Sequence, residues 1–202
     1  MTIVIRDVRE HELDSVLALN NAAGPTILPL DMARLRALAE HAAYLRVADV
    51  DGQLAGFLIG LRENADYGSP NFLWFRARYP EFLYIDRIVI ARPYRGIGLG
   101  RVFYADVTSF AEVRVPLLAC EVFLEPPDDV AVLFHGTYGF HEVGQQVMPG
   151  VNRRVSLLAK ELCSYAFVRD TYLRPAGELP NQPWLAERAH GPRPIARAAS
   201  AG

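Results

Sequence analysis

The sequence predicts a mixed α/β (α+β) domain: a mostly antiparallel, twisted sheet of about seven strands, flanked by about four helices. An apolar strand at 82–90 enters a glycine-rich turn and an amphipathic helix at 99–113, and a second apolar strand follows at 117–123. A strand, a helix and a strand joined by a short return form a parallel pair with a right-handed crossover. Turn signals such as Asp51-Gly52 join other strands as antiparallel hairpins.

The first half of the chain is predicted to contain two helices and three strands. Alternation of apolar and polar residues gives the strands, and apolar residues at helical spacing give the helices. The predicted strands cover 2–6, 44–49 and 53–61, and the helices cover 10–21 and 31–41. Asp31 is the expected N-cap of the second helix. The stretch 62–80 has no sustained period and many aromatic residues, so we expect a long loop, either an aromatic plug over the core or a substrate lid.

The second half closes the predicted sheet after the parallel pair. Asp128 can cap a helix that runs to about Tyr138, and Gly139 ends it. Strands at 140–147 and 152–161 would then form a hairpin at the edge of the sheet.

Length and composition exclude several functional classes. With 202 residues, 51% of them apolar, the chain can bury a full core as one main domain. A net charge of −2 argues against a general nucleic-acid binder. Apolar runs stay short of the ~18 residues of a membrane span, and the N-terminal residues lack the apolar core of a signal peptide. We therefore expect a cytoplasmic protein without a membrane partner, whose Cys120 and Cys163 are reduced and bind no metal.

The glycine-rich turn Arg95-Gly-Ile-Gly-Leu-Gly-Arg101 has the layout of an anion site. Amides at a helix N-terminus have no intrahelical partner and carry the positive end of the helix dipole, so they bind phosphate oxygens where side chains leave room. A Walker loop would need Gly-Lys-Ser/Thr, and a dinucleotide turn would need different glycine spacing. The pattern that fits is Arg-x-x-Gly-x-Gly; a plain structural turn is the alternative.

At this turn the chain resembles the GNAT-type N-acetyltransferases, in which a loop of this form holds the pyrophosphate of acetyl-CoA. The segment 133–140, Leu-Phe-His-Gly-Thr-Tyr-Gly-Phe, resembles a second family segment, in which an aromatic residue or His near a helix end is followed by three variable positions and Gly-Phe. The order of elements is also similar over about four-fifths of the chain. More narrowly, the segments 67–75 and 84–90 resemble those of one bacterial branch of predicted acetyltransferases.

The resemblance implies a binding mode for acetyl-CoA, as cosubstrate and without a metal. The central parallel pair would be splayed, and the pantetheine arm would lie along Ile88, Val89 and Ile90. The pyrophosphate would be bound by the turn residues Arg95, Gly96, Ile97, Gly98, Leu99, Gly100 and Arg101. Phe123 and Ala131 stand where the family commonly has polar residues that bond to the pantetheine.

The implied reaction is transfer of the acetyl group to the primary amine of a small molecule, by direct attack in a ternary complex. It requires a neutral amine and a proton for the departing thiolate. Strand alternation puts Tyr84, Asp86 and Ile88 on one face, where the family often has an acidic residue; Asp86 is either a base or the partner of a nearby Arg. His135 stands where many members have a Tyr that protonates the thiolate.

Glu121, isolated in an apolar strand, is a second acidic candidate, because a buried charge needs a partner or a function. The residues expected to line the amine pocket are Asn20, Tyr67, Trp74, Tyr84 and Glu121. Two alternatives remain: a CoA-binding module without turnover, favoured by Phe123 and Ala131, and an acetyltransferase for a protein or peptide amine, which would need an open groove.

The chain divides into an expected acetyltransferase domain, 1–162, and a C-terminal extension, 163–202. Residues 165–173 could pack on the domain, whereas the composition beyond about 175, rich in Pro, Arg and Ala, is typical of disorder. The sequence leaves a homodimer open.

Overall fold

The computed structural model describes residues 1–125 and 129–173. The strands are β1 (Ile3–Asp7), β2 (Ala42–Val50), β3 (Gln53–Arg62), β4 (Leu83–Ile90), β5 (Leu117–Phe123), β6 (His141–Met148) and β7 (Arg153–Glu161). The α-helices are α1 (Leu13–Asn21), α2 (Met32–His41), α3 (Pro70–Arg76), α4 (Leu99–Ala111), α5 (Asp129–Thr137) and α6 (Ser164–Tyr172). Short 3₁₀ turns occupy Glu10–Glu12 and Arg92–Tyr94.

All seven strands form one sheet in the order β1-β2-β3-β4-β5-β7-β6. Every neighbouring pair is antiparallel except β4 and β5, which are parallel. The predicted fold class is therefore confirmed. The described residues contain six α-helices rather than about four, because α3 and α6 were not predicted as helices.

Helices cover both faces of the sheet and bury its two apolar surfaces. On one face α1, α2 and α3 pack against the sheet through residues such as Val16, Leu35 and Phe72. On the other face α4 contributes Phe103 and Val107 to a second cluster. The predicted N-cap is present, since the Asp31 side chain accepts a hydrogen bond from the amide of Arg34.

The predicted long loop at 62–80 contains the helix α3. Pro70 occupies its first turn, where the missing N–H costs no hydrogen bond, and Phe72 and Phe75 are fully buried. With only seven residues, α3 is too short to show a sustained 3.6-residue period in the sequence. The ring of Trp74 lies over Gly144 of β6, so α3 is an aromatic plug on the sheet.

A β-bulge interrupts β4 at Asp86. Ile59 of β3 pairs with Arg87, and the next residue, Gly60, pairs with Ile85, so Asp86 is an extra residue in β4. The predicted shared face of Tyr84, Asp86 and Ile88 is therefore wrong: Tyr84 packs on the α1–α3 face and Ile88 on the α4 face. The bulge directs the adjacent side chains Asp86 and Arg87 to the α1–α3 side of the sheet.

The parallel strands β4 and β5 pair over a short distance only. Leu83 pairs with Leu118 and Tyr84 with Ala119, and the pairing ends there. The remaining halves of the two strands diverge, and a large cleft lies in the gap between them.

The segment after β7 also folds onto the sheet. Tyr165 of α6 is buried with the α4 side of the core, as expected for residues 165–173. The expected disorder beyond 175 lies outside the described residues. No helix in the described ranges is long and apolar enough to span a membrane.

The contact between α3 and β6 gives a test of the aromatic plug. A Cβ at Gly144 would lie 2.6 Å from Trp74 Cζ2, so Gly144→Ala should displace Trp74 and reduce the free energy of unfolding by about 1–3 kcal/mol. The matched control is Gly68→Ala, where a Cβ meets nothing within 4 Å. Urea denaturation of both variants measures the difference, and equal stability would contradict this packing.

Candidate active site

The cleft between the splayed strands has a volume of about 970 Å³. Its walls are the second halves of β4 and β5, the turn from Tyr94 to Arg101, and one side of α5. Residues 23–27, between α1 and α2, close its other end. The cleft therefore joins the predicted phosphate-binding turn to the predicted catalytic residues.

The glycine turn presents a row of amides that the described part of the chain leaves unpaired. Gly96 and Gly98 have left-handed backbone conformations, with φ of 81° and 94°, and Gly98 is the N-cap of α4. The amides of residues 96–100 make no backbone hydrogen bond among the described residues. The amides at the two ends of the predicted set are occupied, because Arg95 donates to Arg92 O and Arg101 to Gly98 O.

The third glycine of the turn is required by packing. A Cβ at Gly100 would lie 3.0 Å from Phe134 Cζ and 3.1 Å from Phe134 Cε2. Leu99 is buried, whereas Ile97 and the Arg101 side chain are exposed. The turn is thus open towards the cleft and is held from behind by α5.

The edge of β4 that faces the cleft offers further backbone groups. The amide of Ala91 donates to Ala55 O of β3. Because backbone groups alternate in direction along an antiparallel pair, the amide and carbonyl of Val89 also point to β3. Those of Ile88 and Ile90 point to the cleft. The carbonyl of Ile90 accepts from Arg95 Nε at 3.0 Å. An extended ligand could pair with this edge as an additional strand would.

His135 lies in the wall of the cleft with both ring nitrogens engaged. Nδ1 is 2.7 Å from Ala131 O, and Nε2 is 2.7 Å from the hydroxyl of Tyr104. A carbonyl only accepts, so Nδ1 carries the proton and Nε2 accepts from Tyr104. Burial raises the pKa of Tyr104, which keeps its proton. The imidazole is thereby fixed in one tautomer and one orientation.

Two carboxylates, Asp86 and Glu121, meet on the α1–α3 side of the cleft. Asp86 accepts from Tyr67 at 2.5 Å through Oδ1 and from Arg87 Nε at 2.6 Å through Oδ2. Glu121 accepts a hydrogen bond from the hydroxyl of Tyr84. Asp86 is therefore paired with a cation, whereas Glu121 has a neutral donor.

The surroundings of Glu121 favour its neutral form. Burial, followed by the negative charge of Asp86, raises the pKa of Glu121 to about 7. The hydrogen bond from Tyr84 and the positive charge of Arg87 oppose this rise only in part. The pKa of Tyr67 is also raised, by burial and by Asp86, so this hydroxyl remains a donor. Glu121 can therefore take up or release a proton near neutral pH.

A side pocket of about 60 Å³ opens beside these carboxylates. Asp86, Arg87 and Glu121 line both the cleft and the side pocket, so the two spaces meet at the charged residues. Thr26 and Phe123 are also common to both. Phe123 and Ala131, the two departures from the family pattern, both line the cleft.

The structure brings some of the predicted amine-pocket residues together and separates others. Tyr67 and Glu121 line the side pocket, and Tyr84 reaches it through the hydroxyl that contacts Glu121. Asn20 is fully buried and accepts from Arg87 Nη1 at 2.7 Å, so it supports the wall from behind. Trp74 lies on β6 instead and does not line either pocket.

Sequence reasoning missed Arg87. Its signal was a cation inside an otherwise apolar strand, next to Asp86, but regular alternation would have put these two side chains on opposite faces. Only the bulge makes them neighbours. In the described residues, no group of three or more His, Cys, Asp or Glu side chains is placed to hold a metal ion.

Solved structures with the same fold include proteins named as N-acetyltransferases. The ribosomal-protein-alanine N-acetyltransferase from Brucella melitensis superposes with a TM-score of 0.60 at 22% identity, covering 79% of this chain and 99% of that one. Ard1 from Thermoplasma volcanium gives a TM-score of 0.64 at 16% identity, covering 80% and 99%. Arabidopsis thaliana Naa50, in complex with the bisubstrate analogue CoA-Ac-MVNAL, gives 0.63 at 17%, covering 79% and 99%. At these identities the likeness establishes the fold.

The sequence comparison establishes more than the fold. A comparison with curated proteins gives no match. A family model described as acetyltransferase (GNAT) family matches residues 10–140, which include the glycine turn, both carboxylates and His135. Since this match spans most of the chain and agrees with the splayed strands and the unpaired amides, the chain belongs to the acetyltransferase (GNAT) family.

Proposed function

We propose that this protein transfers an acetyl group from acetyl-CoA to the primary amine of a small molecule, by direct attack in a ternary complex. The observation that carries the proposal is the arrangement within one cleft: unpaired amides of residues 96–100 lie in one wall, and Glu121, with its raised pKa, lies where the cleft meets the side pocket. The first suits a diphosphate, and the second suits proton removal from an ammonium.

The residues present fit acetyl-CoA. The turn supplies main-chain donors without side chains in the way, and the free edge of β4 at Ile88 and Ile90 supplies donors and acceptors for the pantetheine amides. When bound, acetyl-CoA supplies a thioester, whose acetyl carbon forms a bond to the amine nitrogen while its bond to sulfur breaks. Phe123 and Ala131 offer apolar contact in place of polar side chains.

Glu121 is the proposed general base. An alkylammonium with a pKa near ~10 must lose a proton before its nitrogen can attack. A carboxylate whose pKa lies close to the working pH is suited to accept that proton, directly or through one water. Asp86, the first candidate for the base in the sequence, is already paired with Arg87. We propose that Asp86 positions this cation and raises the pKa of Glu121.

For His135 we propose a positioning role instead of the proton donation that the family resemblance implies. Donation into the cleft would require a ring nitrogen to leave Ala131 O or Tyr104. A thiol with an ordinary pKa near ~8.5 leaves with little assistance, because its anion is accessible near neutral pH. The fixed imidazole supports Phe134, which in turn holds the glycine turn at Gly100.

A small acceptor is favoured over a protein or peptide amine. The side pocket is about 60 Å³ and is lined by Ile27 and Leu28 of the α1–α2 connection and by Tyr67, so it has room for only a few heavy atoms beyond the amine. The alternative is a module that binds CoA without turnover. CoA binding alone does not require a carboxylate with a raised pKa, such as Glu121, beside the cleft.

The phosphate-binding role of the turn can be tested by calorimetry with CoA. Gly100→Ala should weaken CoA binding at least tenfold, about 1.4 kcal/mol, because the new Cβ meets Phe134 and displaces the first turn of α4. Gly136→Ala is the control, since a Cβ there meets nothing within 4 Å. No heat of CoA binding to the unsubstituted protein would overturn the proposal.

The role of Glu121 can be tested through the pH dependence of thiol release over a panel of amines. Because the ionised form is the base, kcat/KM should rise with pH and bend near pH 7, where Glu121 loses its proton. Glu121→Gln should lower kcat by about 10²–10⁴-fold and remove this bend, leaving only the rise due to ionisation of the amine. A variant that keeps both the rate and the bend would exclude Glu121 as the base.

The positioning role of His135 predicts an effect on stability more than on chemistry. His135→Ala removes the hydrogen-bond acceptor of the buried Tyr104 hydroxyl, which costs about 1–3 kcal/mol, so Tm should fall by several degrees. At saturating acetyl-CoA, kcat should stay within a few-fold. Loss of kcat by 100-fold at unchanged Tm would instead establish His135 as the proton donor.

A further inference from the structure

The guanidinium of Arg87 has unused hydrogen-bonding capacity. Its Nε donates to Asp86 at 2.6 Å, and its Nη1 donates to Asn20 Oδ1 at 2.7 Å and Leu28 O at 3.3 Å. Its Nη2 makes no hydrogen bond to any described residue, although the side chain is only 8% exposed. Nη2 also keeps some solvent-accessible surface, so it is not sealed from water.

This unused donor belongs to a residue of the proposed acceptor site. Arg87 lines the side pocket and the cleft together with Glu121. The three contacts at Nε and Nη1 hold the guanidinium plane in place, so Nη2 is oriented before any ligand arrives. A fixed guanidinium in a poorly solvated site binds carboxylates strongly, through charge-assisted hydrogen bonds.

The side pocket therefore presents two opposite charges to a ligand. Glu121, in its ionised form, attracts an ammonium, whereas Arg87 Nη2 attracts an anion. Asp86 screens part of the charge of Arg87, but it occupies Nε and not Nη2. A simple alkylamine would remove water from Nη2 without replacing its hydrogen bond, and this desolvation opposes binding.

We propose that the acceptor is a small amino acid, whose amine lies at Glu121 and whose carboxylate pairs with Arg87 Nη2. This inference rests on the proposed function. The ammonium gives one proton to Glu121, its nitrogen forms a bond to the acetyl carbon, and the carbon–sulfur bond breaks. The products are the N-acetyl amino acid, with its carboxylate unchanged, free CoA thiol and one released proton.

The test compares matched acceptors on the unsubstituted protein. Thiol release is measured with acetyl-CoA and the amino acid alanine, its amide and ethylamine, and likewise with β-alanine and propylamine. At least one acid should exceed its uncharged counterparts by about 10- to 100-fold in kcat/KM, the range expected for a hydrogen bond to a charged group. Equal rates for acids, amides and amines would overturn the inference and leave the proposed function intact. No acetylation of any amine would overturn the proposed function itself.

Substitution provides an independent readout. Arg87→Lys keeps the positive charge beside Asp86 but removes Nη2, so the preference for the acid should fall at least tenfold while calorimetric CoA binding is unchanged. Arg46→Lys is the matched control, because Arg46 is also buried and paired, with Asp7 and Asp106, away from the cleft. This control should keep the preference. If Arg87→Lys kept the preference for the acid, the acceptor carboxylate would have to bind a group other than Arg87.

Discussion

The early end of pairing between β4 and β5 is the constraint on which the rest of the site depends. Two residue pairs hold the strands together, and beyond Tyr84 and Ala119 each strand leaves one edge unpaired. An exposed strand edge deep in a protein is costly unless a ligand completes it. In the seven-stranded sheet these unpaired edges lie at the centre, where helices cover both faces and the cleft opens between the two strands.

The bulge at Asp86 adds the charged part of the site to this opening. It puts two consecutive side chains, Asp86 and Arg87, on the same side of the sheet, where regular alternation would separate them. Their ion pair satisfies Asp86, and burial, followed by the negative charge of Asp86, raises the pKa of Glu121 across the gap. One extra residue in one strand therefore creates a cation, a paired carboxylate and a carboxylate that titrates near neutrality.

The sequence predicted the features that rest on local pattern. All seven strands, the glycine turn and the parallel pair follow from periodicity and turn chemistry, and Glu121 was recognisable as a charge in an apolar strand. The features that it could not predict depend on strand register and on contacts between elements that are distant in the sequence. The bulge has no local signal, α3 is shorter than two full periods, and Tyr104, one partner of His135, comes from a separate helix. These features decide which residues share the pocket, so the roles that we propose for Asp86 and His135 differ most from those expected from the sequence.

The contact of Gly100 with Phe134 has a mechanical consequence. The first turn of α4 rests on the aromatic ring of Phe134, which projects from the middle of α5. His135, the next residue of α5, is clamped between Tyr104 of α4 and its own helix. The glycine turn and the His135 side chain are therefore held by the same pair of helices, so a substitution at Phe134 would disturb both of these parts of the cleft wall.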